Sequence, residues 1–216
     1  KERFKNAVEL LNYPILDWAT DIQAERENPK KILYTGNITE DRGALIHSKL
    51  VATFKENEID EFLLIGHCPK ALYEDMIDLA GKNESKLRVN GVEKFIKFDS
   101  IINEYKKQDW IAGLALFPKT PHYESKRLTK FYEFMAAGLP IIYSDFEGWK
   151  SFLEPLNVGI AVNPDNIEEV RKAVLLLKKD HELRTEMAKN GKKYIESGYS
   201  WAKEEEKLLK LYSNLS

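Results

Sequence analysis

Cysteine occurs once in this sequence, at Cys68, so no disulfide can close within the chain and no zinc site can rest on thiolates. That scarcity fits a reducing compartment. Long hydrophobic runs are also missing. No stretch approaches the ~18 apolar residues of a membrane span, and none has the make-up of a signal-peptide core. Charge of one sign is not in excess either. Lysine and arginine number 33 against 35 aspartates and glutamates, a formal net charge of −2. Such a balance gives no electrostatic footprint for nucleic acid or an anionic membrane surface. The sequence lacks Gly-x-Gly-x-x-Gly, the P-loop pattern and the Gly-x-Ser-x-Gly elbow, which demotes nicotinamide, P-loop ATP and serine-hydrolase chemistry. No His, Asp and Glu cluster has metal-ligand spacing, so no metal is expected.

What is present is a globular composition, 43% hydrophobic and 31% charged, with enough apolar material for a sizeable core. Short apolar runs at 32–35, 62–65, 87–89, 111–117, 141–143 and 159–162 read as strands. Several are apolar on both sides, as parallel strands covered by helices on two faces must be. Amphipathic stretches at 44–55, 70–80, 101–107, 129–137 and 148–154 read as the helices between them. The alternation predicts an α/β fold: a Rossmann-like, doubly wound parallel sheet of about six strands with helices on both faces. Residues 1–31 read as a strand-and-linker lead-in and 32–216 as the domain itself. The chain opens Lys1-Glu2-Arg3-Phe4 without an initiator methionine, so it reads as a piece of something longer.

The last third is helical. Asp165 and Glu168 have the spacing of a capping box, followed by Ile167, Val170, Val174 and Leu177 on one face. A second helix is expected from about His181 to Ser197, interrupted near Gly191. A third starts after Gly198 and Ser200 and carries Trp201, Leu208, Tyr212 and Leu215 along one face.

An open parallel sheet binds ligands beyond the carboxyl ends of its strands, which singles out the loops 36–43, 67–69 and 119–128. In the first, Gly36 stands at a strand exit and Arg42-Gly43 just before a helix. Glycine lets a backbone approach a phosphate, helix N–H groups attract it, and Arg42 adds a two-pronged cation. A plain turn with a solvated arginine fits the same residues. The segment 128–142 reads as a helix stopped by Gly138 and a strand begun by Pro140. If that helix starts at a diphosphate, the Thr129 and Lys130 N–H groups meet phosphate and Glu133, one turn on, accepts both hydroxyls of an adjacent ribose. Periodicity alone reads the segment as ordinary helix. Two histidines lie near this edge, His67 and His122, and each is a candidate contact for sugar or phosphate. His47 reads as a packing residue of the first helix, and Cys68 as an inert, half-buried thiol.

Lys130-Phe131-Tyr132-Glu133-Phe134-Met135-Ala136-Ala137-Gly138-Leu139-Pro140-Ile141-Ile142 resembles the K-x-x-E-[YF]-M-A-x-G-x-P signature of retaining GT-B glycosyltransferases of the group 1, or family 4, type. Further stretches agree in order. Gly36–Gly43 is similar to the family's glycine- and cation-containing loop, Phe62–Gly66 to its second strand ending in glycine, Trp110–Pro118 to its a-D-[IV]-x-[LV]-x-P strand, Gly159–Val162 with Asp165-Asn166 to its G-x-x-V-x-x-x-[DN] segment, and Tyr199-Ser200-Trp201 to the start of its terminal helix. The resemblance covers roughly residues 30–214.

It implies the C-terminal, donor-binding half of a GT-B enzyme, entered through residues 1–31 from an absent N-terminal domain. It implies transfer of a hexosyl unit from a nucleoside-diphosphate sugar to a saccharide or glycolipid acceptor, with retention, in surface polysaccharide or glycoconjugate biosynthesis. Arg42 would act in catalysis on the leaving diphosphate, and Gly36, Asn37, Ser125, Thr129, Lys130 and Glu133 would bind the donor. Asn37 replaces the family's usual arginine. The first glutamate of the fuller motif falls on Ser125, one residue from Glu124. No cofactor or metal is implied, the acceptor belongs to the other domain, and the piece alone would be inactive. The location implied is cytoplasmic, peripheral at the inner membrane face through that domain. Two rivals stay open: an enzyme like the non-hydrolysing UDP-N-acetylglucosamine 2-epimerases, and a non-catalytic nucleotide-sugar sensor.

Overall fold

The computed structural model describes residues 8–124 and 126–213. In chain order its main elements are β1 (Lys31–Thr35), α1 (Ala44–Thr53), β2 (Glu61–Cys68), α2 (Lys70–Ala80), β3 (Leu87–Val92), α3 (Phe98–Tyr105) and β4 (Trp110–Ala115). They continue with α4 (Pro121–Glu124), α5 (Thr129–Ala136), β5 (Ile141–Ser144), α6 (Glu147–Leu153), β6 (Gly159–Val162), α7 (Ile167–Lys179), α8 (His181–Glu196) and α9 (Trp201–Ser213). The six strands are all parallel, in the order β3-β2-β1-β4-β5-β6. The chain winds outward from β1 through β2 to β3, then returns to β4 and winds the other way. This is the expected doubly wound, Rossmann-like sheet, and its switch point lies between β1 and β4. With right-handed crossovers the two directions of winding put helices on opposite faces. α1 packs on α2 and α7, and α5 packs on α8.

The strands form because their residues are apolar on both sides. All six residues of β4 are buried, and so are the last four of β1. Leu33 is in register with Leu63 on one side and Gly113 on the other. Gly113 has a packing role: a Cβ there would lie 2.6 Å from the ring of Phe134. That bare strand surface lets α5 settle directly on β4, and truncating Phe134 to alanine would cost about 3–5 kcal/mol. Gly43 does similar work at the strand ends. Its φ is +84°, and a Cβ would stand 1.8 Å from the Leu116 carbonyl oxygen. Only glycine allows the loop after β1 to press against the exit of β4.

Several expected boundaries move. β2 runs on to Cys68, so His67 and Cys68 are strand residues and not loop residues. The helix expected at 101–107 is Phe98–Tyr105, with Asp99 in its first turn. Asn166, not Asp165, caps α7: its side chain accepts from the Glu169 N–H, while Asp165 donates its own N–H to Asn163. α8 is not interrupted at Gly191. The helix passes through it, and the missing side chain admits Met135 of α5, 3.1 Å from where a Cβ would be. Leu215, expected on the terminal helix face, lies outside the described residues.

The lead-in contains no strand among its described residues 8–30, only a short 3-10 turn at Asp17–Ala19. It is nevertheless packed. Leu16, Ala19 and Ile22 are buried, and Trp18 stacks on Tyr105 with centroids 5.0 Å apart. Arg26 is buried and donates to the carbonyl oxygens of Ala137 and Gly138, satisfying the C-terminal end of α5. Burial, with the nearby Arg184, lowers its pKa to about 10. No helix among the described residues is long and apolar enough to cross a membrane.

Candidate functional site

Beyond the carboxyl ends of β1 and β4, at the switch point, lies a cavity of about 580 Å³. Of the residues singled out in the sequence, Gly36, Arg42, Thr129, Lys130, Glu133 and His122 line it. Asn37 does not: it is exposed, and its carbonyl oxygen accepts a hydrogen bond from the Tyr34 hydroxyl at 2.8 Å. His67 is exposed and outside the lining as well. Ser125 lies outside the described residues. Glu124 is not part of the lining and stands 3.9 Å from Lys119.

The loop 116–128 is held open by specific bonds. The Ser144 hydroxyl on β5 both accepts from the Phe117 N–H and donates to its carbonyl oxygen. The Trp149 indole donates to the Lys126 carbonyl at 2.8 Å, and Phe117, Tyr123 and Trp149 pack edge to face. Tyr123 also donates to Asp41 at 2.7 Å, joining this loop to the one that carries Arg42. Bonds from Thr39 and then Tyr123, with Arg42 beside them, hold the Asp41 carboxyl below its usual range. Arg42 in turn donates to the Tyr123 hydroxyl, which holds it at the cavity wall. The helix α5 begins here with Leu128 as its N-cap and no side chain bonded to its first N–H groups, which leaves them and the positive end of the helix dipole toward the cavity.

Lys130 is the most unusual group. It is buried, its Nζ lies 3.6 Å from the centroid of the Tyr34 ring, and it has no hydrogen-bond partner. Burial, and then the nearby Arg42, push its pKa well below the ordinary lysine value. Behind it, His47 is fully buried with both ring nitrogens unpartnered, and its pKa falls to about 3 through burial and the proximity of Lys130. Glu133 is the only carboxylate among the described lining residues. It accepts from the Tyr105 hydroxyl at 2.8 Å. Burial raises its pKa, while Tyr105 and Lys130 oppose the rise.

The arrangement can hold an anion. Arg42, Lys126, Arg127 and Lys130 line one cavity, together with an uncapped helix start, and an unpaired buried ammonium gains most from an arriving charge. Phe98 and Ile101 give another part of the lining an apolar surface. Sequence reasoning used only the N–H of Lys130 and missed its side chain, the Tyr105 hydroxyl, Thr35 and Arg127. Tyr105 has no local signal, since its partner lies 28 residues away. Among the described residues no group of three or more His, Cys, Asp and Glu side chains is placed to hold a metal ion.

Comparison with known proteins bears on this geometry. Residues 19–194 match the family model described as glycosyl transferases group 1. No curated protein sequence matches the chain significantly. Among solved structures, a glycosyltransferase from Rickettsia africae superposes with a TM-score of 0.72 at 15% identity, over 96% of this chain and 56% of that one. Sucrose-phosphate synthase from Thermosynechococcus elongatus gives 0.68 at 19% identity, over 94% of this chain and 49% of its own. HepE of Anabaena, solved in complex with UDP, gives 0.71 at 11% identity, over 95% and 57%. At these identities the likeness speaks for the fold. The chain spans about half the length of each.

Proposed function

The chain belongs to the glycosyl transferases group 1 family, and from that premise we propose that it is the donor-binding half of a retaining, family 4 type GT-B enzyme. Its cavity takes a nucleoside-diphosphate sugar. The observation that carries this reading is the buried, unpartnered Lys130 side-chain nitrogen beside an uncapped helix start at the sheet's switch point. A diphosphate supplies the acceptor oxygens that the Lys130 side chain lacks, and Arg42 meets the same charge from the opposing loop. Glu133 accepts the ribose hydroxyls, and the base lies toward Phe98 and Ile101. The Anabaena neighbour solved with UDP supports the ligand class.

In the reaction, the bond between the sugar's anomeric carbon and the diphosphate oxygen breaks, and the diphosphate leaves with the electron pair. A hydroxyl oxygen of the acceptor bonds to that carbon and passes its proton to the departing diphosphate oxygen, which takes it up with the electron pair it gained. Lys130, Arg42 and the α5 N–H groups stabilise the charge growing on the leaving group. This work is done by protein cations and dipoles, and no metal takes part. The acceptor is a saccharide or glycolipid, held chiefly by a second domain, so this chain alone binds the donor without turnover. Surface polysaccharide or glycoconjugate synthesis, at the inner face of a membrane, is the setting that fits such an acceptor.

A thermal-shift panel of UDP, GDP and ADP, with their sugars and free nucleosides, tests the reading. One diphosphate series should stabilise the chain by about 2.7 kcal/mol at a hundredfold excess over its Kd, and its nucleoside far less. No shift with any nucleoside diphosphate would overturn it.

A further inference from the structure

We infer that Tyr105 is a positioning residue for Glu133, holding its carboxyl group aimed into the cavity before any ligand arrives. This inference rests on the reading of Glu133 as the ribose acceptor. Tyr105 ends α3, and its ring is fully buried. Trp18 stacks on one side at 5.0 Å and an interplanar angle of 11°, and Phe134 meets the ring edge to face at 6.0 Å. Two aromatic neighbours from distant parts of the chain thus fix where the hydroxyl points.

The hydroxyl stands between two cavity-lining residues, 2.8 Å from Glu133 Oε2 and 2.7 Å from Thr35 Oγ1. Its single proton goes to the carboxylate, so the Thr35 hydroxyl must donate to Tyr105. Burial and the neighbouring Glu133 charge keep the phenol protonated. The chain of donors therefore runs one way, from Thr35 through Tyr105 to Glu133.

A carboxylate that is to accept two ribose hydroxyls needs its remaining lone pairs free and its rotamer set. A donated bond on Oε2 sets the rotamer at the expense of one lone pair and leaves the others open, and it favours the ionised form against the desolvation that opposes it. The charged and titratable groups facing Glu133 are Tyr105 from α3 and Lys130 from its own helix, with Arg42 beyond Lys130. Without the Tyr105 hydroxyl, Glu133 protonates at higher pH, and ribose binding fades earlier as pH falls.

Tyr105→Phe removes the hydroxyl and keeps the ring between Trp18 and Phe134. The experiment measures binding of the preferred nucleoside diphosphate and of its 2′,3′-dideoxy counterpart from pH 5 to 8. Proteins compared are the unmodified chain, Tyr105→Phe, Glu133→Gln and the double variant. A parallel carboxyl-carbon NMR titration follows Glu133 without ligand. Expected are about tenfold weaker binding of the ribonucleotide to Tyr105→Phe, unchanged dideoxy binding, and an acid limb moved to higher pH. The loss should vanish in the Glu133→Gln background, and the Glu133 titration should move upward. An equal loss in both backgrounds, or an unmoved titration, would overturn the inference. If Tyr105→Phe does not fold, Thr35→Val takes its place, with shifts in the same direction upholding the donor chain and no shift overturning it. Failure of the unmodified chain to bind any nucleoside diphosphate would overturn the proposed function and with it the ribose role. The ligand-free titration would then decide the Tyr105–Glu133 link by itself.

Discussion

Lys130 holds its ammonium 3.6 Å from the centroid of the Tyr34 ring, with no hydrogen-bond acceptor among the described residues. The ring's π face returns part of the attraction that water would give, but not the hydrogen bonds. An ammonium buried in this way opposes folding, because the unfolded chain hydrates it fully.

A trade-off follows from that cost. The folded pKa of Lys130 lies below its unfolded value, so the unfolded state holds the proton more tightly and stability falls as pH drops below the unfolded pKa. At neutral pH the empty protein carries the penalty. Lys130→Met should raise its stability by about 1–3 kcal/mol, a few degrees in a melting scan. The same change should weaken nucleoside diphosphate binding. A variant that melts lower, or binds as before, would contradict the role given to this side chain.

Glu133→Gln should weaken nucleoside diphosphate binding by about 1–3 kcal/mol, because an amide accepts one ribose hydroxyl in place of two. Calorimetry against a 2′,3′-dideoxy ligand is the control. That ligand should bind the variant and the unmodified chain equally. Unchanged ribonucleotide affinity would return Glu133 to a purely structural role.

The burial of Lys130 and the reach of Tyr105 mark the limit of what the sequence shows. Its double-sided apolar runs are legible because a parallel sheet covered on both faces needs them, and the six strands follow. The segment from Lys130 to Ile142 is legible for another reason: Gly138 ends a helix and Pro140 begins a strand, which is where α5 and β5 stop and start. At the ends, local signals are degenerate. Asp165 and Asn166 both suit an N-cap, and only the bond to Glu169 selects Asn166. Gly191 reads as a break until α8 is seen to need a bare face against Met135. Lys130 is singled out in the sequence for its backbone N–H, and the burial of its side chain shows only once Tyr34, Phe117 and His47 close around it. Those contacts are made across the sheet, and no spacing in the chain announces them.

Arg42 should matter to the phosphates alone. Arg42→Ala should cost diphosphate binding on the order of tenfold or more and leave nucleoside binding nearly unchanged, since only the phosphates carry the charge it meets. Its hydrogen bond to Tyr123, which is itself tied to Asp41, predicts a weaker loss of the same kind for Tyr123→Phe. Equal losses for diphosphate and nucleoside would remove Arg42 from the phosphate site.

His47 should shape the acid stability of the empty protein. Its folded pKa of about 3 lies below the ordinary 6.5, so stability is complete above 6.5 and is lost as pH falls toward 3. The loss amounts to about 2 kcal/mol by pH 5. His47→Leu should flatten that limb, read as the melting temperature between pH 7 and 5. An unchanged slope would mean that His47 is not the group responsible.

The proposed function stands or falls on whether this cavity grips a nucleoside diphosphate by its phosphates, with protein cations and no metal. Calorimetric titration of the chain with the preferred nucleoside diphosphate and with its nucleoside, each with and without EDTA, tests it most directly. At least tenfold tighter binding of the diphosphate is expected, the same with and without chelator. Equal affinities for the two ligands, or binding abolished by EDTA, would contradict it.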